Sequence, residues 1–142
     1  AGKLSVGPEI SFKVADVFTK KNALKLLEDG NILILGGGTG NPFFTTDTTA
    51  ALRALEIEAD YILKATKVDG IYNKDPKKFS DAVKYDSLTY DQAIKEKLEI
   101  MDQTAFTMCR EHQKEIIVFN FLDGDQLGKL LKGKKIGTRI HP

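Results

Sequence analysis

The run Asn31-Ile-Leu-Ile-Leu35 passes directly into Gly36-Gly37-Gly38, and that junction constrains the fold more than any other stretch of the chain. A short apolar run bounded by glycines is the pattern of a strand buried on both faces, which belongs in a sheet covered by helices on either side. The flanking segments agree. Thr19 is placed to cap a helix reaching Asp29, with Ala23, Leu24 and Leu27 as its apolar stripe and Gly30 as its stop. Ala50 to Ile57 reads as a helix that turns Ala51, Leu52, Ala54 and Leu55 toward the core, and Tyr61 to Ala65 reads as the next strand. Thr89 with Gln92 forms a capping box for a helix to about Lys97. Asp102 caps another helix to about His112, with Ala105, Phe106 and Cys109 on one face. Ile116 to Phe119 is a buried strand, a short helix runs from about Gln126 to Gly133, and Ile136 to Ile140 is a last strand; Glu9 to Phe12 is a further strand candidate. Strands alternating with helices predict an α/β protein with a mostly parallel sheet covered on both faces. Right-handed crossovers then gather the loops after the strands along one sheet edge, where ligands bind.

The segment Gly36-Gly37-Gly38-Thr39-Gly40-Asn41-Pro42-Phe43-Phe44-Thr45-Thr46-Asp47 follows that strand and leads into a helix. Glycines let the backbone approach a ligand and adopt φ > 0, which turns amides into an anion nest. Thr39, Thr45 and Thr46 add hydroxyl donors, and the helix beginning near Asp47 points its positive end back at the loop. Together these parts suit a phosphate monoester. Neither standard phosphate motif fits. A Walker A loop ends in Gly-Lys-Ser/Thr, whereas Gly40 is followed by Asn41-Pro42, and a dinucleotide fingerprint would need its third glycine at Asn41. A purely structural turn is the alternative, but a turn alone does not require a dense run of hydroxyls. Asp47 reads either as a carboxylate favouring the helix start or as one that orients a lysine or magnesium at a transferring phosphoryl group.

Lys64 lies inside an apolar strand, where a lysine is costly unless it is paired or snorkels at an edge near solvent. Beyond it, Asp69-Gly70 and Asp75-Pro76 mark a folded loop. In that loop Tyr72 is either a packing residue or a platform for a base, and Asp75 is either a turn former or an acceptor for a ribose hydroxyl. Lys74, Lys77 and Lys78 read as a solvated face.

Composition narrows the function. Lys plus Arg total 21 and Asp plus Glu total 20, a net charge of +1, which lacks the cation surplus expected of a nucleic-acid-binding domain. The single Cys109 has no internal disulfide partner and points to a reducing compartment, so the expected location is cytoplasmic, or organellar in a eukaryote. With two distant histidines, His112 and His141, a zinc cluster is not expected, and no metal site of the chain's own is assigned. No apolar run approaches membrane-spanning length, Ala1 to Ser5 do not read as a signal peptide, and no membrane partner is expected. The 142 residues contain no repeat, low-complexity tract or Pro/Gly/Ser linker and read as one domain.

Taken together, these segments resemble the bacterial-type uridylate kinases (UMP kinases) of the amino acid kinase superfamily. The resemblance follows Gly37-Gly-Thr-Gly-Asn-Pro-Phe-Phe-Thr-Thr-Asp47, Ala51-Leu-Arg-Ala-Leu-Glu-Ile57 and Leu63-Lys-Ala-Thr-Lys-Val-Asp-Gly70. It continues through Asp75-Pro-Lys77, Leu88-Thr-Tyr90, Met101-Asp102, Thr104-Ala-Phe-Thr107 and Val118-Phe-Asn120 to Gly137-Thr138, covering the chain from about Val14 onward. It implies a three-layer α/β/α sandwich and phosphoryl transfer from MgATP to UMP, giving UDP. It assigns Thr39, Gly40, Asn41, Pro42, Phe43, Phe44, Thr45 and Thr46 to UMP and its phosphate, and Thr66, Tyr72 and Asp75 to ATP. Asp47, Lys64 and Asp102 fall near the transferring phosphoryl group. Hexamers and regulation by GTP and UTP are further implications.

Members of that family begin with a strand and a Lys-x-Ser-Gly phosphate loop. Here Lys3-Leu-Ser5 is followed by Val6. The chain is therefore expected to be the C-terminal portion of the fold and inactive alone. The competing expectations are a nucleotide-binding module without turnover and another amino acid kinase with a carboxylate or carbamate acceptor.

Overall fold

A computed structural model of the chain describes residues 3–6 and 15–142. The strand candidate Glu9 to Phe12 lies outside the described residues. The chain divides into two compact units, Ala1–Ala59 and Asp60–Pro142.

In the first unit, strands β1 (Lys3–Val6), β2 (Asp16–Val17) and β3 (Leu33–Gly36) form a parallel sheet in the order β2-β1-β3. Helix α1 (Lys20–Glu28) begins where expected, because the Thr19 hydroxyl accepts from the Asn22 amide at 3.3 Å, and it stops before Gly30, whose φ of 78° suits only glycine well. Helix α2 (Thr46–Glu56) starts four residues ahead of Ala50 and within one residue of the start near Asp47 expected from the glycine segment. The reason is local. Thr45 takes the cap, its hydroxyl accepting from the Thr48 amide at 3.2 Å, so the threonine run winds into the helix instead of staying in the loop. Ala51 and Ala54 are buried on this helix.

The expectation that Asn31 to Leu35 is buried on both faces needs correction. The strand starts at Leu33, and Ile32 and Ile34 are 76% and 57% exposed, while Leu33 and Leu35 are half-buried. Strand side chains alternate between faces, and in this chain only the face bearing Leu33 and Leu35 is covered.

The second unit contains β4 (Tyr61–Thr66), β5 (Ser87–Thr89), α3 (Tyr90–Lys95), α4 (Gln103–Glu111), β6 (Glu115–Asn120), α5 (Gln126–Leu131) and β7 (Thr138–His141). Its sheet order is β4-β6-β7-β5. β4 pairs parallel with β6 and β5 parallel with β7, while β6 and β7 run antiparallel. The fold is thus α/β with mostly parallel pairing, as expected. Leu88, Ala105, Cys109, Ile116 and Ile140 make its fully buried core. Tyr90 joins them, its ring 4.9 Å from that of Phe106 and its hydroxyl donating to the Lys114 carbonyl at 2.5 Å. Burial pushes the Tyr90 phenol well above its ordinary range.

Half of the expected capping box at α3 is present. The Thr89 hydroxyl accepts from the Gln92 amide at 3.1 Å, whereas the Gln92 side chain donates forward to Glu96 at 3.2 Å. The helix ends at Lys95, two residues short of the expected Lys97, which adopts φ 52°. At the start of β7, Gly137 has φ 74° and lies flat against β6: a Cβ there would sit 2.0 Å from the Val118 carbonyl oxygen.

Candidate functional site

In the first unit, the glycine segment leaves β3 and turns through Gly37, Gly38 and Gly40, whose φ values of 80°, 65° and 76° are all left-handed. At Gly38 a Cβ would meet only the Thr49 hydroxyl at 3.8 Å, so backbone conformation rather than space selects glycine there. Phe43 is also left-handed, at φ 71°, and is fully exposed. A bulky residue in that region carries backbone strain of the kind that gathers at binding loops.

The hydroxyls divide by task. Thr39 accepts from the Asn41 amide at 3.1 Å and so holds the turn. Thr45 caps α2 through the Thr48 amide, and its carbonyl accepts the Thr49 hydroxyl at 2.9 Å. Thr46 stands exposed in the first turn of α2, and Asp47 beside it is half-buried. Gly40, Asn41, Pro42 and Phe44 complete the loop, with Asn41, Pro42 and Phe44 open to solvent. Left-handed glycines followed by the start of an 11-residue helix offer donors and a positive dipole end to an anion.

In the second unit, Thr66 closes β4 with a tight turn, donating to the Val68 carbonyl at 2.8 Å and receiving the Val68 amide at 3.1 Å. The chain then makes an arm whose two legs meet at an antiparallel bridge between Tyr72 and Lys84. Asp69 ties the legs together. The Tyr72 hydroxyl donates to one of its oxygens at 2.8 Å and the Lys84 ammonium to the other at 3.3 Å. Partial burial pushes the Asp69 carboxyl up, but the Tyr72 hydroxyl and Lys84 outweigh it and hold the group below its ordinary range. The same bond raises the Tyr72 phenol.

Asp75 forms a turn with its own backbone. Its carboxylate accepts the Lys77 amide at 2.9 Å, its carbonyl accepts the Lys78 and Phe79 amides at 3.1 and 3.0 Å, and Lys78 approaches at 3.8 Å. The lysine run is less free than the expected solvated face: Lys74 bonds Asp81 at 2.5 Å and lies 5.4 Å from the centre of the Phe79 ring.

Lys64 sits in β4 opposite Val118, half-buried. Asp102 caps α4, its carboxylate accepting the Ala105 amide at 3.0 Å. It borders a cavity of about 720 Å³ lined also by Ile94, Lys97, Ile100, Met101 and Phe106. The structure thus groups Thr39 to Asp47 on one loop and helix start, and Lys64, Thr66, Tyr72 and Asp75 along β4 and the arm that follows it. Asp102 stands apart from that arm in sequence, at the head of α4.

Three residues escaped the sequence reading. Thr48 is buried with its hydroxyl 3.5 Å from that of Thr45, and the i, i+3 spacing from a capping threonine was the available signal. Asp69 was read only as a turn former, although a tyrosine three positions on is within reach. Thr138 is fully buried and bonds both legs of the arm; nothing in its local sequence signals that. Among the described residues no group of three or more His, Cys, Asp or Glu comes together as a metal site, and no helix is long and apolar enough to cross a membrane.

The amino acid kinase family matches residues 8–120. The chain is similar to a uridylate kinase of Acinetobacter baumannii, with 51% identity over 127 residues, covering 89% of this chain and 52% of the relative. It is similar to a uridylate kinase of Xanthomonas oryzae pv. oryzae, with 52% identity over 134 residues, covering 92% of this chain and 56% of the relative. Among solved structures it is similar to the UMP kinase from Bacillus anthracis, with a TM-score of 0.91 and 34% identity, covering 98% of this chain and 57% of that one. The chain spans about half the length of the curated relatives it matches.

Proposed function

This chain belongs to the amino acid kinase family, and from that premise we propose that residues 1–142, working as one domain, supply the nucleotide-contacting part of a uridylate kinase. The reaction is phosphoryl transfer from ATP to UMP, giving UDP for pyrimidine nucleotide synthesis. The observation that carries this reading is the left-handed glycine loop that delivers Thr39 to Thr46 to the start of α2. The curated names of the relatives support the same substrate pair.

In this reading, Gly40, Asn41, Pro42, Phe43 and Phe44 shape the loop around UMP. Thr39 and Thr45 fix its course, and the Thr46 hydroxyl faces the phosphate. Thr66, Tyr72 and Asp75 serve ATP, with Tyr72 at the base and Asp75 at the ribose. A UMP phosphate oxygen attacks the γ-phosphorus, the bond to the β,γ-bridging oxygen breaks, and ADP leaves. Such transfers depend on positioning and charge stabilisation. Lys64 is the chain's candidate to offset charge at the transferring group. Asp47 repels phosphate and serves by orienting a cation, and Asp102 acts from the head of α4. The described carboxylates form no cage for Mg²⁺. An ion accompanying ATP would be held chiefly by the nucleotide's own phosphate oxygens. GTP and UTP as effectors, a hexamer and a cytoplasmic location complete the proposal. ADP release measured with UMP, CMP and glutamate as acceptors tests it, and preference for glutamate would overturn it.

Turnover is best measured on this chain joined to the segment of a relative that it does not span. In that joined enzyme, Thr46→Ala is expected to raise the KM for UMP by roughly 10–100-fold, the loss of one hydrogen bond to a charged group, and to leave the KM for ATP in place. A raised KM for ATP with UMP unchanged would reverse the assignment of the two sites.

Asp75→Asn separates the two roles open to that residue. Asparagine still accepts the Lys77 amide, so the turn survives. If the carboxylate serves the ribose, the KM for ATP rises by roughly 10-fold. If Asp75 only makes the turn, neither KM moves. The second reading, binding without turnover, is favoured only for the 142-residue chain by itself, given its share of the relatives' length.

A further inference from the structure

Thr138 is fully buried in β7, where a valine would fill the same space without a polar group to satisfy. Its hydroxyl is used twice. It accepts from the Ile71 amide at 2.8 Å and donates to the Tyr85 carbonyl at 2.5 Å. Those two backbone groups are the bases of the two legs of the arm, directly inside the Tyr72–Lys84 bridge. They are also joined to each other, the Tyr85 amide donating to the Ile71 carbonyl at 2.9 Å. Farther out, Asn73 and Val83 bond one another, and most residues from 73 to 83 are exposed. The outer arm therefore has little apolar burial of its own, and its order depends on the base.

The glycines on either side make the contact possible. A Cβ at Gly70 would stand 2.6 Å from the Thr138 hydroxyl and 3.0 Å from the Lys84 side chain, so glycine is needed where the arm passes over β7. Gly137 lies against the β6 backbone with no room for a Cβ, which fixes where β7 begins and aims the next residue at the arm. The pair Gly137-Thr138 thus holds a segment far from it in sequence.

We propose that Thr138 is a positioning residue that latches the base of the 69–85 arm to β7 and thereby sets Tyr72 in place for the nucleotide base. The latch stands on the geometry above; its consequence for ATP rests on the reading given under Proposed function. Thr138→Val removes the hydroxyl at constant shape, and Thr138→Ser keeps it. Gly70→Ala disturbs the same contact from the arm's side, without altering β7.

The experiment combines amide hydrogen exchange on the 142-residue chain with equilibrium binding of ATP. In Thr138→Val the Ile71 amide is expected to exchange at least 10-fold faster while the β4 and β6 amides keep their protection, and ATP binding weakens by about 10-fold, in keeping with the loss of both buried hydrogen bonds of that hydroxyl. Thr138→Ser restores both, and Gly70→Ala reproduces the Thr138→Val pattern. Unchanged exchange at Ile71, equal loss of protection throughout residues 60–142, or failure of serine to restore the protection would each overturn the latch. If the unsubstituted chain binds no ATP, the nucleotide reading falls, and the exchange pattern alone decides whether the arm is latched.

Discussion

Gly137→Ala is expected to lower the stability of residues 60–142 by about 3 kcal/mol or more, among the larger effects a single substitution produces. Two costs add at this position. The backbone is left-handed at φ 74°, which an L side chain tolerates poorly, and the new Cβ would lie 2.0 Å from the Val118 carbonyl oxygen and 3.1 Å from the Phe119 Cβ. The obstacle is main chain in β6, which is hydrogen-bonded to β4 on one side and β7 on the other and has no rotamer to yield. Gly133→Ala is the matched control. Its φ is 77°, but nothing lies within 4 Å of a Cβ there, so only the conformational cost of about 1 kcal/mol remains. Urea unfolding followed by circular dichroism measures both. Equal midpoints for the two variants would show that the close approach to β6 contributes nothing.

Residues 1–142 on their own are expected to convert UMP to UDP at less than about a thousandth of the 1–100 per second usual for kinases. Phosphoryl transfer needs cations and amides around all the developing charge, and the chain spans only 52% and 56% of two uridylate kinase relatives. Supplying the unspanned segment of a relative in trans should restore part of the turnover. A monomeric preparation of this chain that turns over at an ordinary rate would overturn this, and would show that its own lysines, Lys64 or Lys67, suffice to stabilise the charge.

What could be read from the sequence was what neighbours decide. Thr19, Thr89 and Asp102 each cap a helix within three residues of themselves, and each was legible. The start of α2 near Asp47 was legible from the glycine segment, but its cap was not, because several neighbouring threonines could have served and the structure uses Thr45. Ile32 and Ile34 show the opposite limit. Their hydrophobicity is local, but their exposure depends on what covers the sheet. β5 was not anticipated, since a three-residue strand is defined by its partner β7, far along the chain. The site divides the same way. The glycine-threonine loop declares itself in a dozen contiguous residues, whereas the bonds of Thr138 reach 67 and 53 positions back and leave no local trace.

The strand order β4-β6-β7-β5 also carries a consequence for how the protein is made. β7 is translated after every other described strand, yet it occupies an interior place, between β6 and β5. Until it emerges from the ribosome, β5 has no strand beside it among the described residues and β6 keeps one edge open. The second sheet therefore cannot close progressively behind the advancing ribosome. It waits, with hydrogen-bonding edges unpaired, until β7 has been made. That interval is when the nascent chain is most exposed to pairing with the wrong neighbour.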